Sequence, residues 1–440
     1  MTAGSSRFLV IGATTLARRV CAALMDRGHT VDHLLAPDDA ELRASLQREV
    51  AGIAILLHQD DVGLRYALAA AHFAPGVPIV AAIFDATMSE QLHRLLPSCI
   101  VTSPAELAAP MLVAACLGDG AALFPTARGR AEVVAVDTAG VTHRAWRRSF
   151  AERMRALRGR IAGQLRPHDA GSRILYLGLG GATLALLCDF IWLVGVGTPW
   201  PEAFQEAAQV AATVGPEGRH GEAYGVFAGL AMLLSVLFTG MFTAGLVDML
   251  LGPRLIGLFG SRALPRAGHV VVVGLGQVGL RLCRHLQALG IPVVGVERDG
   301  DARWVEVARN LGIPVVIGNG VDRAVLERVR ISHAVALAAV GSADLDNISV
   351  AVSARGVAPE ARIVLRAGEH ELISETASLL PLGETRDVTR LSSAYVVARL
   401  LGVDADHVLL DGNRVLLLAS GAASEWKTSR PHGCSHVAPS

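Results

Sequence analysis

The chain has 440 residues, of which 52% are hydrophobic and 18% are charged. This composition is too apolar for a soluble protein and too charged for one that lies in a bilayer throughout. The 40 basic and 40 acidic residues balance each other, which argues against a nucleic-acid partner.

The first segment carries an α/β pattern. From Arg7 the chain reads RFLVIGATTLARRVCAALMDRGHTVDHLLAPDD, a buried strand, a turn, an amphipathic helix and a second strand. Further on, AELAAPMLVAACLG predicts a helix that leads to two short apolar strands. We therefore predict a Rossmann-like domain over residues 1–140.

Two uninterrupted apolar runs follow, Ile174–Gly197 and Ala223–Val247, with Asp189 as the only charge within them. As a helix, each run is long enough to cross the roughly 30 Å hydrocarbon core of a bilayer. The runs predict a transmembrane unit over residues 173–252. A carboxylate at mid-membrane is costly, so Asp189 is expected to face a partner helix, water or the interface.

Charges beside the runs predict the topology. Arginines crowd the residues before the first run: Arg144, Arg147, Arg148, Arg153, Arg155, Arg158, Arg160, Arg166 and Arg173. We assign residues 141–172 to a cytoplasmic linker. The connection over residues 198–222 is acidic instead. The positive-inside rule then predicts a multi-pass protein of the cell membrane with both termini in the cytoplasm.

The last large segment repeats the opening pattern with a glycine motif. Strand Val270–Val273 runs into GLGQVG, a helix follows, and a second strand ends at Glu297. This is the βαβ fingerprint of a nucleotide site: glycines for the turn and the phosphate, and an acid for the ribose. We predict a nucleotide-binding domain over residues 267–420 and a disordered tail over 421–440. The candidate ligand residues are Gly274, Gly276, Gln277, Val278, Gly279, Glu297, Arg298, Gly318 and Asn319.

The two α/β segments are an internal repeat, and the first copy lacks the features of the nucleotide fingerprint. When Gly12 is aligned with Gly274, Thr14 replaces Gly276, Ala17 replaces Gly279 and Leu35 replaces Glu297. The residue numbers of aligned positions differ by about 262 at the start of the copies and by about 284 further on. The first copy is therefore shorter by roughly one helix plus one strand of a βαβ unit. In the second copy this insertion is ARWVEVARNLGIPVVIG. The first copy is therefore predicted to be a structural or assembly domain without a ligand.

The chain resembles the two-transmembrane potassium channels that carry cytoplasmic RCK domains, which are Rossmann-like and of the TrkA-N type. The connection between the runs begins a short helix at Pro201 and continues to Thr213, Val214 and Gly215, which match the start of that family's TVGYG filter. The resemblance implies a re-entrant loop over 198–222, a homotetramer and potassium as the permeant ion. Four filter loops would offer backbone carbonyls to the ion.

The filter is degenerate, because Pro216 stands where the family has Tyr or Phe, and Glu217 stands where it has glycine. Proline fixes φ and removes an N–H, and glycine supplies a backbone conformation that most residues avoid. Two functions stay open: a nucleotide-regulated cation channel, or a non-conducting membrane-tethered regulator of a potassium transporter. A relic fold with an empty crevice also remains possible for the second copy.

No catalytic set, metal-ligand spacing or Walker loop is evident in the sequence, so we do not expect an enzyme. Glu297 favours a free ribose diol, hence NAD(H) or an adenine nucleotide, over a 2′-phosphate. The neighbouring Arg298 weakens that preference, because arginine can accept a 2′-phosphate.

Overall fold

The computed structural model describes residues 5–127, 130–137, 140–149, 154, 170–215, 221–251, 264–265, 267–368, 382–411, 414–419 and 422–426. The chain divides into two compact units. One unit comprises Met1–Arg160 together with Leu264–Ser440, and the other comprises Ile161–Ala263.

The first copy opens with a parallel five-stranded sheet in the order β2-β1-β3-β4-β5. Strands β3 and β4 are buried along their whole length, as expected for a parallel sheet with helices on both faces. The elements are β1 (Arg7–Ile11), α1 (Thr15–Met25), β2 (Thr30–Leu34), α2 (Asp39–Leu46), β3 (Gly52–Ile55), α3 (Asp60–Phe73), β4 (Ile79–Ala82), α4 (Ala86–Leu95) and β5 (Cys99–Thr102).

A helix and a three-stranded antiparallel sheet complete the first copy. Helix α5 (Pro104–Leu117) leads to β6 (Ala122–Ala127), β7 (Arg130–Asp137) and β8 (Gly140–Arg147). Two apolar strands were expected here, and β8 is a third that extends into the segment assigned to the linker. Backbone pairing with β7 forms it, from Asp137 opposite Gly140 to Arg130 opposite Arg147.

The second unit consists of three described helices: α6 (Ala170–Gly195), α7 (Trp200–Ala211) and α8 (Glu222–Leu251). Two stretches are long and apolar enough to cross a membrane, Ile174–Gly195 and Glu222–Val247. Helices α6 and α8 pack closely at Gly178, where a Cβ would lie 2.4 Å from the backbone nitrogen of Phe242.

The second copy has a parallel six-stranded sheet in the order β11-β10-β9-β12-β13-β14. Its elements are β9 (Val270–Val273), α9 (Gln277–Ala288), β10 (Val293–Glu297), α10 (Arg303–Asn310), β11 (Val315–Ile317), α11 (Arg323–Arg328), β12 (Ala336–Ala339), α12 (Asp344–Val357), β13 (Ile363–Ala367) and β14 (Glu384–Asp387). The insertion inferred from the repeat is confirmed, because it forms α10 and the edge strand β11, and the described first copy has neither.

The second copy also ends in a helix and a three-stranded antiparallel sheet. These are α13 (Val388–Leu400), β15 (His407–Asp411), β16 (Arg414–Ala419) and β17 (Ala422–Trp426). The prediction of a disordered tail from residue 421 is wrong for β17, which pairs with β16 from Ala419 opposite Ala422 to Val415 opposite Trp426. Residues 427–440 lie outside the described residues.

The two copies exchange their connecting helices. Helix α5 of the first copy packs against α9 of the second, and α13 of the second packs against α1 of the first. Val396, Val397 and Leu400 of α13 are buried in one core with Phe8 and Val10 of β1. The copies therefore form one unit that shares its hydrophobic cores.

Candidate functional site

The glycine turn of the second copy packs closely against neighbouring backbone at two positions. Gly274 follows β9 with φ +90°, and a Cβ there would lie 2.8 Å from Cα of Gly341. At Gly279 a Cβ would lie 2.0 Å from the carbonyl oxygen of Gly274. Any side chain would collide with backbone at both positions, so only glycine allows this strand, turn and helix to pack together.

Gly276 is different, because it is open. It precedes α9 as the N-cap residue, no side chain caps the helix, and a Cβ at Gly276 would meet nothing within 4 Å. Gly276, Gln277 and Val278 line a cavity of about 790 Å³. The first turn of a helix attracts anions through its unsatisfied N–H groups and its dipole. This end of α9 is therefore suited to a phosphate.

Glu297 ends β10 beside that turn. Its Oε2 accepts a hydrogen bond from the backbone N–H of Leu275 at 2.8 Å, and its Oε1 accepts one from the N–H of Arg298 at 2.9 Å. These bonds hold the carboxylate at the cavity, which it lines. Each carboxylate oxygen has a second lone pair, so Glu297 can still accept from ribose hydroxyls.

The other candidates on this side also line the cavity. The side chain of Arg298 is 71% exposed, and its Nη2 lies 3.8 Å from Oδ2 of Asp346, so it is held only loosely. Gly318 follows β11 with φ +158° and donates its N–H to the carbonyl of Glu297. Asn319 closes its own turn, because Oδ1 accepts from the N–H of Val321 at 3.2 Å.

The opposite wall contains residues that the sequence pattern indicated less strongly. Asn347 is buried, and its Nδ2 donates to the carbonyls of Gly341 at 3.1 Å and Arg366 at 3.0 Å. Asp344 is also buried and accepts from the N–H of Gly368. Arg366 brings a guanidinium to the cavity. The repeat alignment sets Arg366 against Ala82. This difference between the copies is the sequence feature that could have identified Arg366 as a site residue.

The corresponding turn of the first copy caps its own helix. Thr14 is the N-cap residue of α1, and its Oγ1 accepts a hydrogen bond from the N–H of Ala17 at 3.1 Å. The same hydroxyl donates to the carbonyl of Leu56 at 2.9 Å. A side-chain oxygen thus occupies the helix end that Gly276 leaves open in the second copy.

The filter candidates begin in the turn that ends α7. Thr213 has φ +61°, its N–H donates to Val210, and the N–H of Val214 donates to Gln209. This pair of bonds is a Schellman motif, which normally has glycine at the left-handed position. Gly215 follows with φ +84°. Pro216 and Glu217 lie outside the described residues.

Asp189 lies inside the helical unit and not on its surface. It is 1% exposed on α6, and Tyr224 and Ser235 of α8 are 2% exposed. The Tyr224 side chain interacts electrostatically with Asp189. The outward surface is apolar instead, with Leu184 62% exposed and Val226 76% exposed. These three side chains thus lie between helices, and large apolar side chains face outwards.

Comparison with known proteins finds similarity over parts of the chain. Residues 270–379 match the family model of the TrkA-N domain. Potassium channel protein 1 of Methanocaldococcus jannaschii is 23% identical over 157 residues, which are 36% of this chain and 44% of that protein. The Trk system potassium uptake protein TrkA homolog of Pyrococcus abyssi is 27% identical over 146 residues, 32% of this chain and 64% of that protein. Both matches span less than two thirds of the relative's own length.

Two solved structures share the fold over most of the chain. The GsuK RCK domain matches with a TM-score of 0.51 and 14% identity, covering 90% of this chain and 77% of that one. The GsuK channel matches with a TM-score of 0.51 and 15% identity, covering 90% of this chain and 64% of that one. At this identity the likeness concerns the fold alone. The α/β unit of this chain is therefore Rossmann-like, with a second copy similar to the TrkA-N domain.

Proposed function

We propose that this chain is a nucleotide-regulated potassium channel-like membrane protein whose second Rossmann-like copy senses the ligand. The observation that carries the nucleotide part is the contrast between the two helix ends. Gly276 leaves the N-terminus of α9 open to the cavity, whereas Thr14 caps α1. A negative phosphate is stabilised by the open end, whereas at the capped end the Thr14 hydroxyl already occupies the N–H of Ala17.

Glu297 and Arg298 bear on which nucleotide binds. The Glu297 carboxylate, held by two backbone N–H groups, would accept hydrogen bonds from a ribose diol and repel a 2′-phosphate. Arg298 is exposed and could turn to such a phosphate, although Asp346 lies nearby. We therefore propose NAD(H) or an adenine nucleotide as the ligand, bound by Gly276, Gln277, Val278 and Glu297.

The membrane part rests on α6 and α8. The apolar stretches Ile174–Gly195 and Glu222–Val247 contain 22 and 26 residues, enough for a hydrocarbon core of roughly 30 Å. Asp189, Tyr224 and Ser235 are buried between helices while large apolar side chains face outwards, the reverse of a soluble protein. Lipid is the solvent that suits this surface, and we assign the protein to the cell membrane with both termini in the cytoplasm.

A pore would need several copies of the chain. One chain supplies two spans and the short helix α7, which cannot enclose an ion path, so we propose a homotetramer with Thr213, Val214 and Gly215 near its axis. The names of the two relatives, a potassium channel and a potassium uptake protein, support potassium as the transported ion. The nucleotide would bind the open and closed states of the protein with different affinity and so shift the equilibrium between them.

The second candidate function is a non-conducting, membrane-tethered regulator of a separate potassium transporter. One observation favours it: Thr213 lies in the capping turn of α7, where its N–H and that of Val214 close the helix end. With Pro216 and Glu217 after it, this segment departs from a filter that offers a row of carbonyls to an ion.

A flux assay separates the two functions. The full chain is reconstituted in liposomes, and potassium efflux is recorded with and without NAD, NADH, ADP or ATP. A channel gives efflux that nucleotide changes, and the Gly276→Asp variant gives efflux that nucleotide does not change. Absence of efflux together with nucleotide binding would favour the regulator, and absence of both would contradict the proposal.

Topology is tested on intact cells with a membrane-impermeant thiol reagent. Cysteine is introduced at Glu202 in α7 or at Glu327 in α11, in a background with the native cysteines replaced. The proposal expects labelling of Glu202→Cys in intact cells, and labelling of Glu327→Cys only after permeabilisation. The reverse pattern would exclude the assigned orientation.

A further inference from the structure

The cavity of the second copy continues into the first copy. Besides the glycine turn, its lining includes Thr15, His58, Phe84 and Pro104 of the first copy. The repeat sets His58 against Ser342, another residue of the lining. The mouths of the two crevices therefore join into one space, built from matching positions of both copies.

Only one side of this space is suited to anchor a nucleotide. The open helix end at Gly276 and the carboxylate of Glu297 both belong to the second copy. In the first copy, Thr14 fills the helix end, and Phe84 stands where the second copy has Gly368. A ligand anchored on the second copy thus turns its far side towards the first copy.

The wall supplied by the first copy is fixed to the helix that would carry the phosphate. Arg281 of α9 donates from Nη2 to the carbonyl of Phe84 at 3.3 Å, and its Nη1 lies 3.2 Å from Oε2 of Glu106. His285 of α9 lies 3.2 Å from the other oxygen of Glu106. The distance between α9 and this wall is therefore set by side chains on both sides.

His58 is the one ionisable side chain among the described first-copy residues that line the cavity. It follows β3 and is exposed to the cavity solvent. The other described residues of that wall carry hydroxyl or apolar side chains, so His58 is the one among them that can carry a positive charge. An imidazole N–H donates well to phosphate oxygens, and its charged form strengthens the bond.

We propose that His58 of the first copy donates a hydrogen bond to the phosphate chain of a nucleotide anchored on the second copy. This inference rests on the nucleotide site proposed above. It narrows the ligand class to nucleotides with at least two phosphates, because the first phosphate lies at the end of α9 and the next extends towards the first copy. The first copy, although it has no site of its own, then helps to select the ligand.

The test uses the full chain in detergent, with calorimetric titration of adenosine, AMP, ADP and NAD. His58→Ala is compared with His93→Ala, which removes an exposed histidine of α4 outside the cavity lining. We expect His58→Ala to weaken ADP and NAD about tenfold, the effect of one charge-assisted hydrogen bond, and to leave adenosine unchanged. His58→Gln, which keeps an N–H donor, is expected to restore part of the loss.

The outcomes distinguish the two proposals. If the native chain binds none of the four probes, the nucleotide site itself is wrong and this inference fails with it. If the native chain binds ADP and His58→Ala binds it equally well, only the role of His58 is overturned. Equal weakening by His58→Ala and His93→Ala, or equal weakening of adenosine and ADP, would also overturn it.

Discussion

Arg19 and Arg281 occupy equivalent positions of the two copies, and each pairs with a carboxylate at the start of the other copy's connecting helix. Arg19 Nη1 lies 2.8 Å from Oδ2 of Asp387, and Arg281 Nη1 lies 3.2 Å from Oε2 of Glu106. The pairs differ in burial: the Arg19 and Asp387 side chains are 15% and 13% exposed, whereas Glu106 is 50% exposed. The repeat has thus kept a contact between copies on both sides of the unit.

The unequal burial predicts unequal effects of removing each arginine. Arg19→Met leaves the largely buried carboxylate of Asp387 with its backbone bond from Arg390 but without its ion-pair partner, which should lower the free energy of unfolding by about 3 kcal/mol. Arg281→Met should cost at most about 1 kcal/mol, because water reaches Glu106. Thermal unfolding of the full chain in detergent measures both. Equal shifts of the midpoint would contradict this assignment.

Gly276→Asp should separate folding from ligand binding. The position has room for a side chain, and aspartate is a good N-cap residue. The free energy of unfolding without ligand should therefore stay within a few tenths of a kcal/mol or rise. The new carboxylate would repel phosphate, so stabilisation by NAD or ADP should disappear. Gly279→Ala is the contrasting variant, expected to destabilise the apo protein because its Cβ meets the carbonyl of Gly274. A normal ligand shift in Gly276→Asp would place the phosphate elsewhere.

His269 predicts loss of stability at mildly acidic pH. It is fully buried, and burial lowers its pKa below the ordinary 6.5, although its hydrogen bond to the Val329 carbonyl opposes the shift. The unfolded chain therefore binds more protons as pH falls below about 6.5, which favours unfolding. We expect the unfolding midpoint to fall between pH 7 and pH 5.5, and His269→Gln to reduce this dependence. An unchanged pH profile in His269→Gln would assign the effect to other groups.

Two glycines of α6 offer a matched pair for the membrane unit. A Cβ at Gly178 would lie 2.4 Å from the backbone of Phe242, whereas at Gly180 it would meet nothing within 4 Å. Gly178→Ala should separate α6 from α8 and cost about 1–3 kcal/mol, and Gly180→Ala should be close to neutral. Thermal stability in detergent is the readout. Equal tolerance of both substitutions would mean that this packing is not maintained in solution.

Much of the architecture could be predicted because it depends on local pattern. Apolar runs, the glycine motif and the repeat offset predicted strand β9, its turn and the inserted α10 and β11. Strands β8 and β17 could not be predicted in this way, because they are held by pairing with a neighbouring strand more than by apolar residues.

The site was only partly predictable for a similar reason. The sequence identified Thr14 as the replacement for Gly276, but the bond from its hydroxyl to Leu56 joins residues far apart in the chain. The ion pair of Arg19 with Asp387 spans most of the chain, and no local pattern indicates it. His58 was missed because its place in the cavity depends on how the two copies face each other.

The exchange of α5 and α13 within one polypeptide has a consequence for dilute conditions. Partners on separate chains dissociate as concentration falls, but these two copies are tethered, so their association is a unimolecular equilibrium. The asymmetric pair also keeps a fixed one-to-one stoichiometry, because both halves come from a single translation product. Substitutions can therefore accumulate in one copy, because its tethered partner is always the other copy and not a second degenerate one.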